Sequence, residues 1–102
     1  MKIDGFDWES GNIEKNLLKH GITYKQIEEI FYDSPWVAPD VKHSLAEERF
    51  LAIGQINGRR TFVSFAIRLN GNQTLIRPIS ARFMHAKEIK KYEEEIAKNK
   101  DR

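Results

Sequence analysis

The segment that decides the fold spans residues 48–68 and has the sequence ERFLAIGQINGRRTFVSFAIR. Two stretches rich in β-branched and aromatic residues flank Asn57-Gly58, a pair that strongly favours a two-residue type I′ turn. The pattern therefore predicts a β-hairpin whose strands are residues 48–56 and 59–68.

A two-residue turn also fixes the register, with Phe50 opposite Phe65, and directly opposed residues share one face of a sheet. One face is apolar and is predicted to form the core. Its residues are Phe50, Ala52, Gly54, Ile56, Val63, Phe65 and Ile67, with Arg59 and Thr61 near the turn. We call the opposite side the second face. Its residues are Arg49, Leu51, Ile53, Gln55, Arg60, Phe62, Ser64, Ala66 and Arg68.

A third strand is predicted after a turn at residues 70–72, over about residues 74–81. The length of this turn is ambiguous, and a slip of one residue would exchange the faces of every side chain. Either Arg77 or Arg82 would then join the second face, and the strand pattern leaves this choice open. Pro78 lacks an N–H group, so the strand is expected to lie at a sheet edge or to contain a bulge.

The rest of the sequence predicts helices around this meander. A strand or extended arm is predicted within residues 3–8, followed by a helix over about 13–20. The next helix starts at a capping box of Thr23 and Gln26 and stops at Asp33-Ser34-Pro35. A loop over 35–46, with a short extended piece near Val41, precedes the hairpin, and a last helix is predicted over about 85–98. The predicted fold is α+β, an antiparallel meander packed by helices in the order β-α-α-β-β-β-α. The length of 102 residues predicts a single domain over residues 1–102.

Charge is distributed unevenly along the chain, although the net charge is only +2. Residues 1–48 contain ten acidic residues and five lysines, whereas residues 49–82 contain six arginines and no Asp, Glu or Lys. Arginine favours planar, bidentate recognition of phosphate or carboxylate, so this segment indicates an anionic partner. The alternative is that these arginines pair with acids of the first half in the folded protein.

Composition excludes several classes of protein. The absence of cysteine excludes a disulfide framework and a zinc–thiolate site. No apolar stretch has the length of a signal peptide or a membrane span, so a soluble, cytoplasmic protein is expected. The glycines form no phosphate loop, and the three histidines have no metal-ligand spacing. We therefore expect neither a cofactor nor a metal ion.

RNA cleavage without a metal requires a base for the ribose 2′-hydroxyl, an acid for the 5′-oxygen and cations for the phosphorane. Arginine suits the last role, and histidine or glutamate can fill the first two. His43, Glu48 and Arg49 lie at the entry to the hairpin, and Arg68 is the diagonal neighbour of Arg49. In the same register Glu47 faces Arg68, either as a base or as a salt-bridge partner.

A set of residues in a characteristic order extends from about residue 6 to residue 93. Its members are Phe6-Asp7-Trp8, Asn16, Lys19-His20-Gly21-Ile22, Phe31, Asp33-Ser34-Pro35, His43, Glu48-Arg49, Gly54, Phe62-Val63, Arg68, Ile79-Ser80-Ala81-Arg82, Glu88 and Tyr92. The KHG and ISAR blocks at this separation are together specific. Through these residues the chain resembles the BrnT family of toxins.

This resemblance implies a RelE-like fold and a ribonuclease that blocks translation. It also implies a ribbon-helix-helix antitoxin as partner, and operator DNA bound through the toxin–antitoxin complex. By position it implies that Arg82, Arg49 and Arg68 handle phosphate, and it favours Arg82 over Arg77 for the second face. A non-catalytic subunit whose basic face binds an acidic antitoxin segment is the alternative function.

The remaining candidate residues complete this predicted site. The resemblance implies that His43 and Glu48 transfer protons. The expected RNA-binding residues are Lys19, His20, Arg60, Phe62 and Arg77. Phe62 would stack on a base or pack beneath the terminal helix, and His20 would contact RNA or stabilise a helix end. The chain departs from the family pattern at Pro78, at Phe83 (where a second basic residue is usual) and at His85 (where a threonine would cap the helix).

Overall fold

The computed structural model of the protein describes residues 2–8 and 20–100. These residues have an α+β fold, in which one mixed sheet of five strands is accompanied by two α-helices. The elements are β1 (Gly5–Phe6), α1 (Tyr24–Tyr32), β2 (Trp36–Pro39), a 3₁₀-helix (Val41–His43), β3 (Phe50–Ile56), β4 (Arg59–Asn70), β5 (Gln73–Phe83) and α2 (Ala86–Lys100). The helix predicted over 13–20 lies outside the described residues except for His20.

The sheet has the strand order β1-β5-β4-β3-β2. Strands β3 to β5 form the predicted antiparallel meander and β2 extends it, whereas β1 joins the sheet parallel to β5, with Gly5 opposite Leu75. The sequence pattern predicted no partner for this first strand, because that partner lies about 70 residues away along the chain.

A second correction concerns the predicted loop over residues 35–46. Its first part is the edge strand β2, which pairs with β3 from Trp36 opposite Ile53 to Pro39 opposite Phe50. Four apolar residues are too few to display a strand period, so the pairing is visible only in three dimensions. Val41, where an extended piece was predicted, lies in the 3₁₀-helix instead.

The central hairpin has the predicted register, with Phe50 opposite Phe65. Asn57 and Gly58 both have positive φ values, 50° and 81°, which a type I′ turn requires at its two central positions. The two faces of the hairpin are consequently those predicted. Ile67 is an exception within the core face, because β4 extends there beyond the end of β3 and the side chain is 36% exposed.

Helix α1 covers the core face of the sheet. Its capping box is formed as predicted, since Gln26 N donates to Thr23 Oγ1 (3.1 Å) and Thr23 N donates to Gln26 Oε1 (2.9 Å). The buried core residues are Ile22, Ile27, Ile30, Phe31, Ala52, Ile56, Val63, Phe65, Ile76 and Ala81. Burial of this apolar stripe against β3 to β5 holds the sheet rigidly behind the second face.

A bulge in β5 decides which arginines reach the second face. Ser64 of β4 pairs with Ser80, but the next residue, Phe65, pairs with Pro78, so β5 contains one extra residue at this point. In a regular strand Arg77 and Arg82 would point to opposite faces, because they are five residues apart. The extra residue reverses the alternation, so both arginines lie on the second face.

The bulge therefore determines which arginines of β5 lie on the second face and how the strand accommodates Pro78. The choice between Arg77 and Arg82 was a false one, because Arg77 lies opposite Ala66 and Arg82 opposite Phe62. The alternative of a bulge near Pro78 is confirmed, while an edge position is wrong because β5 lies between β1 and β4.

Helix α2 follows directly from β5. Glu88, at the third helical position, accepts a hydrogen bond from His85 N (2.8 Å) and so completes the carboxylate half of a capping box. Farther along α2, Tyr92 packs edge-on against Trp36, with 5.8 Å between ring centroids. Neither described helix is long and apolar enough to span a bilayer.

Candidate active site on the second face

A pocket of about 360 Å³ opens on the second face, between the 3₁₀-helix, the three long strands and the start of α2. Its apolar lining consists of Leu51, Phe62 and Ile79. Its polar lining consists of Asp40, His43, Arg49, Ser64, Ser80, Arg82 and Glu88. The pocket therefore combines an apolar surface with imidazole, guanidinium, hydroxyl and carboxylate groups.

His43 is held at the rim by a carboxylate. Its Nδ1 donates to both oxygens of Asp40, at 2.9 and 3.1 Å, and the side chain of Asp40 is only 11% exposed. The imidazole itself is 63% exposed, and its Nε2 has no hydrogen bond to the described residues. A ring whose Nδ1 donates to a carboxylate presents Nε2 as its proton-accepting atom.

A small hydrogen-bonded turn connects His43 to Arg49. Asp40 N donates to Arg49 O (2.8 Å), Ser44 Oγ donates to Asp40 O (2.7 Å), and Arg49 N donates to Ser44 Oγ (2.9 Å). These bonds fix the 3₁₀-helix against the first residues of β3. His43 and Arg49 are thereby placed at one pocket although six residues separate them.

Arg82 lies at the opposite side of the pocket and forms a bidentate ion pair with Glu88. Its Nη1 and Nη2 donate to Glu88 Oε1 and Oε2, each at 2.8 Å, and Nη1 also donates to Phe83 O (3.2 Å). The guanidinium carbon lies 4.8 Å from the centre of the Phe62 ring. The side chain is consequently held in one orientation by a carboxylate, a carbonyl and an aromatic ring.

This ion pair perturbs the titration of both partners. The hydrogen bonds from Arg82 lower the pKa of the Glu88 carboxyl to about 2, against the effect of burial and with a further contribution from the His85 backbone N–H. The hydrogen bonds to Glu88 raise the pKa of Arg82. Glu88 is therefore ionised throughout the physiological range.

A second cluster lies on the same face beside the pocket. Glu47 Oε1 is 2.9 Å from Arg77 Nη1, and Glu47 Oε2 is 3.8 Å from Arg68 Nη2. Glu47 was predicted to face Arg68 as a base or as a salt-bridge partner, and its geometry is that of a salt bridge. The alternative in which the arginines pair with acids of the first half thus holds for these two.

Arg49 differs from these arginines, because it makes no ion pair with any described residue. Within residues 2–8 and 20–100, His, Asp and Glu side chains form no group of three that could hold a metal ion.

Residues 8–88 match the sequence model of the family described as the ribonuclease toxin BrnT of type II toxin–antitoxin systems. The chain belongs to the BrnT family. None of the curated proteins compared with the chain matches it. Membership makes RNA the substrate class and a protein antitoxin the partner of this BrnT-family toxin.

Four of the predicted site residues of this BrnT-family chain meet at the pocket, and they are His43, Arg49, Phe62 and Arg82. The Arg82 guanidinium lies over the ring of Phe62, which was expected to stack on a base or to pack under the terminal helix.

The other predicted residues lie elsewhere. Arg68 and Arg77 share the second face but pair with Glu47. Glu48 is exposed and does not line the pocket. Arg60 lies 5.2 Å from the Tyr92 ring, His20 is partly buried away from the pocket, and Lys19 is outside the described residues.

Four polar residues of the BrnT pocket were not among the predicted site residues: Asp40, Ser64, Ser80 and Glu88. Asp40 precedes His43 by three residues, a spacing that a single tight turn brings together. Glu88 occupies the position at which a carboxylate caps a helix, and only the packing of α2 on β5 brings it to Arg82. Ser80 faces Ser64 because of the bulge, which no local pattern revealed.

Proposed function

We propose that this chain is an endoribonuclease that cleaves RNA without a metal ion and thereby blocks translation. The observation that supports this proposal is the meeting of one imidazole and two guanidinium groups, His43, Arg49 and Arg82, at a single pocket. Proton transfer and stabilisation of a pentavalent phosphorus are the two requirements of RNA transesterification, and these groups can meet both.

In the proposed reaction His43 Nε2 accepts the proton of the ribose 2′-hydroxyl. The 2′-oxygen then attacks the adjacent phosphorus, and the bond from phosphorus to the 5′-oxygen breaks. The 5′-oxygen takes up a proton from solvent, which leaves a 2′,3′-cyclic phosphate and a free 5′-hydroxyl. Arg49 and Arg82 stabilise the charge of the phosphorane, and Asp40 keeps the proton of His43 on Nδ1.

The surroundings of the pocket suit a single-stranded substrate. Leu51 and Ile79 offer an apolar surface for a nucleobase, beside the hydroxyls of Ser64 and Ser80, whose side chains form no hydrogen bond to the described residues. Arg68 and Arg77 continue the cationic surface toward flanking phosphates. Binding there requires the phosphates to compete with Glu47.

The wider context of the proposal follows from the family. We infer that residues 1–102 act as one toxin domain of RelE-like fold, and that a ribbon-helix-helix antitoxin neutralises it. The complex would bind operator DNA through the antitoxin.

The direct test is cleavage of an end-labelled, single-stranded RNA by the purified chain in the presence of EDTA. Replacement of the base by His43→Ala should lower the cleavage rate by about 10²- to 10⁴-fold. Lys42→Ala, which removes an exposed cation from the adjacent position, is the matched control and should leave the rate nearly unchanged. Cleavage that EDTA abolishes, or full activity of His43→Ala, would contradict the proposed mechanism.

Expression in bacteria tests the consequence for translation. The wild-type chain should arrest growth and stop incorporation of labelled amino acids, and Arg49→Ala should relieve both effects because Arg49 is the arginine of the pocket that forms no ion pair to the described residues. Arrest by a chain that cleaves no RNA would instead favour the non-catalytic, partner-binding alternative.

A further inference from the structure

The hydrogen-bond donors of Arg82 are divided unevenly between two edges of the guanidinium. One edge carries an N–H of Nη1 and an N–H of Nη2, and both point to Glu88 at 2.8 Å. The second N–H of Nη1 points to the carbonyl of Phe83 at 3.2 Å. Three of the five donors are therefore used within the protein.

The two remaining donors form the other edge of the same group. The Nε–H and the second N–H of Nη2 lie side by side, and no described residue accepts a hydrogen bond from either. Arginine can bind a carboxylate or phosphate bidentately through this edge as well as through its end. The side chain is 42% exposed and lines the pocket, so a substrate can reach it.

The orientation of this free edge is fixed from three directions. Glu88 holds the end of the guanidinium, the Phe83 carbonyl holds Nη1, and the guanidinium carbon lies over the Phe62 ring at 4.8 Å. Glu88 is itself fixed, because its Oε1 also accepts the N–H of His85 at the start of α2. Arg82 is thus tied through Glu88 to the first turn of a helix.

We propose that Glu88 is a positioning residue, which holds Arg82 by its Nη1–Nη2 edge so that the Nε–Nη2 edge binds the scissile phosphate. This inference rests on the proposed function, since it assigns the orientation of a group in the same pocket.

The competing interpretation is that Glu88 is a latch, which must leave Arg82 before phosphate can bind. Two features oppose it. Arg82 has a complete second edge for phosphate, and Glu88 has a structural partner in His85 that keeps it in place. A proton-transfer role for Glu88 is also opposed, because its carboxyl remains ionised down to a pH of about 2.

The first experiment compares Glu88→Gln with the wild type in steady-state RNA cleavage. Glutamine keeps a carbonyl oxygen for the His85 N–H but loses the charge and one of the two acceptors for Arg82. The positioning role predicts that kcat falls by about tenfold to hundredfold, while KM stays the same or decreases. A kcat that is unchanged or increased would overturn the proposal, and an increase would favour the latch.

The control for lost negative charge on α2 is Glu94→Gln, at an exposed position with no ion pair to the described residues. It should leave kcat unchanged.

A double-mutant cycle with Arg82→Ala adds a further requirement. In the Arg82→Ala background Glu88→Gln should have no further effect on kcat, and an undiminished effect there would show that Glu88 acts independently of Arg82.

A spectroscopic experiment separates this inference from the proposed activity. The ¹⁵N–¹H resonance of Arg82 Nε is followed while a short 2′-O-methyl RNA, which cannot be cleaved, is added. We expect the resonance to shift on binding in the wild type and to be broadened or unshifted in Glu88→Gln. No shift in the wild type would refute phosphate binding at this edge, even if the protein cleaves RNA. A shift in a protein without ribonuclease activity would refute the proposed function alone.

Discussion

The two faces of the sheet are built on different principles, although the same strands carry both. On the core face, apolar side chains such as Phe65 and Val63 are fully buried against α1. On the second face, the cations Arg68, Arg77 and Arg82 are paired with two glutamates. The first face stabilises the fold by burial of apolar area, whereas the second, where Ile53 and Ala66 are also buried, arranges charged side chains around a pocket.

This difference separates stability from function within one sheet. Substitutions on the core face should lower the free energy of unfolding, and activity should fall only as the protein unfolds. Substitutions on the second face should change RNA binding or cleavage in a protein that stays folded. Paired substitutions on the two faces can contradict this separation or measure its size.

Phe65→Ala should have the largest effect. Phe65 is fully buried, with its ring stacked on Phe50 at 5.5 Å and edge-on to Phe31 at 4.9 Å. Its truncation should lower the free energy of unfolding by about 3–5 kcal/mol, as measured by urea denaturation. Phe62→Ala, on the second face of the same strand, is the control and should cost clearly less stability while it lowers RNA cleavage. Equal losses of stability would show that the faces are not separable in this way.

Gly54→Ala tests a close contact between α1 and the sheet. A Cβ atom at Gly54 would lie 2.6 Å from Ile30 Cγ2 and 3.2 Å from Ile30 Cγ1. Overpacking of this kind should cost about 1–3 kcal/mol of unfolding free energy. In an Ile30→Ala background the same substitution should cost much less, because the clashing atoms are gone. An unchanged cost would place the origin of the effect in the backbone of β3 and not in the helix contact.

Local signals explain why much of the fold was predictable. The Asn57-Gly58 turn, the alternation of the hairpin and the capping box at Thr23 each act over a few residues, and all three are present as expected. These signals are local because turn geometry and capping hydrogen bonds join neighbouring residues. They were enough to place Phe62 and Arg49 on the second face.

The remaining features depend on contacts between distant segments. The parallel partner of β1, the edge strand β2 and the bulge near Pro78 each result from pairing that no short window of sequence contains. The same is true of the Arg82–Glu88 pair, which needs α2 to fold back beside β5. His43, Arg49, Phe62 and Arg82 of the pocket were therefore among the predicted residues, but the partners Asp40 and Glu88 were not.

The Arg82–Glu88 pair should make a smaller contribution to stability, with a defined pH dependence. The folded pKa of Glu88 is lowered from its ordinary value of 4.5 to about 2, so its ionised form is favoured in the folded state. The stabilisation is complete above pH 4.5 and is lost as the pH falls toward 2. Its size should be about 1 kcal/mol, since the pair is partly exposed to solvent. The difference in unfolding free energy between the wild type and Glu88→Gln should shrink over this range, and a difference independent of pH would contradict the assignment.

Glu47 should have the smallest effect on stability and a clear effect on RNA. Its ion pairs with Arg77 and Arg68 are at the surface, so Glu47→Gln should change the free energy of unfolding by only about 0–1 kcal/mol. The freed guanidinium groups should bind phosphates more readily, which raises the affinity for 2′-O-methyl RNA and steepens its dependence on salt. Glu48→Gln removes the same charge from the next residue, which is exposed and has no ion pair to the described residues. If both substitutions raise the affinity equally, the effect is one of net charge, and release of Arg68 and Arg77 from their ion pairs is not its cause. If only Glu47→Gln raises the affinity, Arg68 and Arg77 bind the RNA phosphates, and their ion pairs with Glu47 limit the affinity of the wild type.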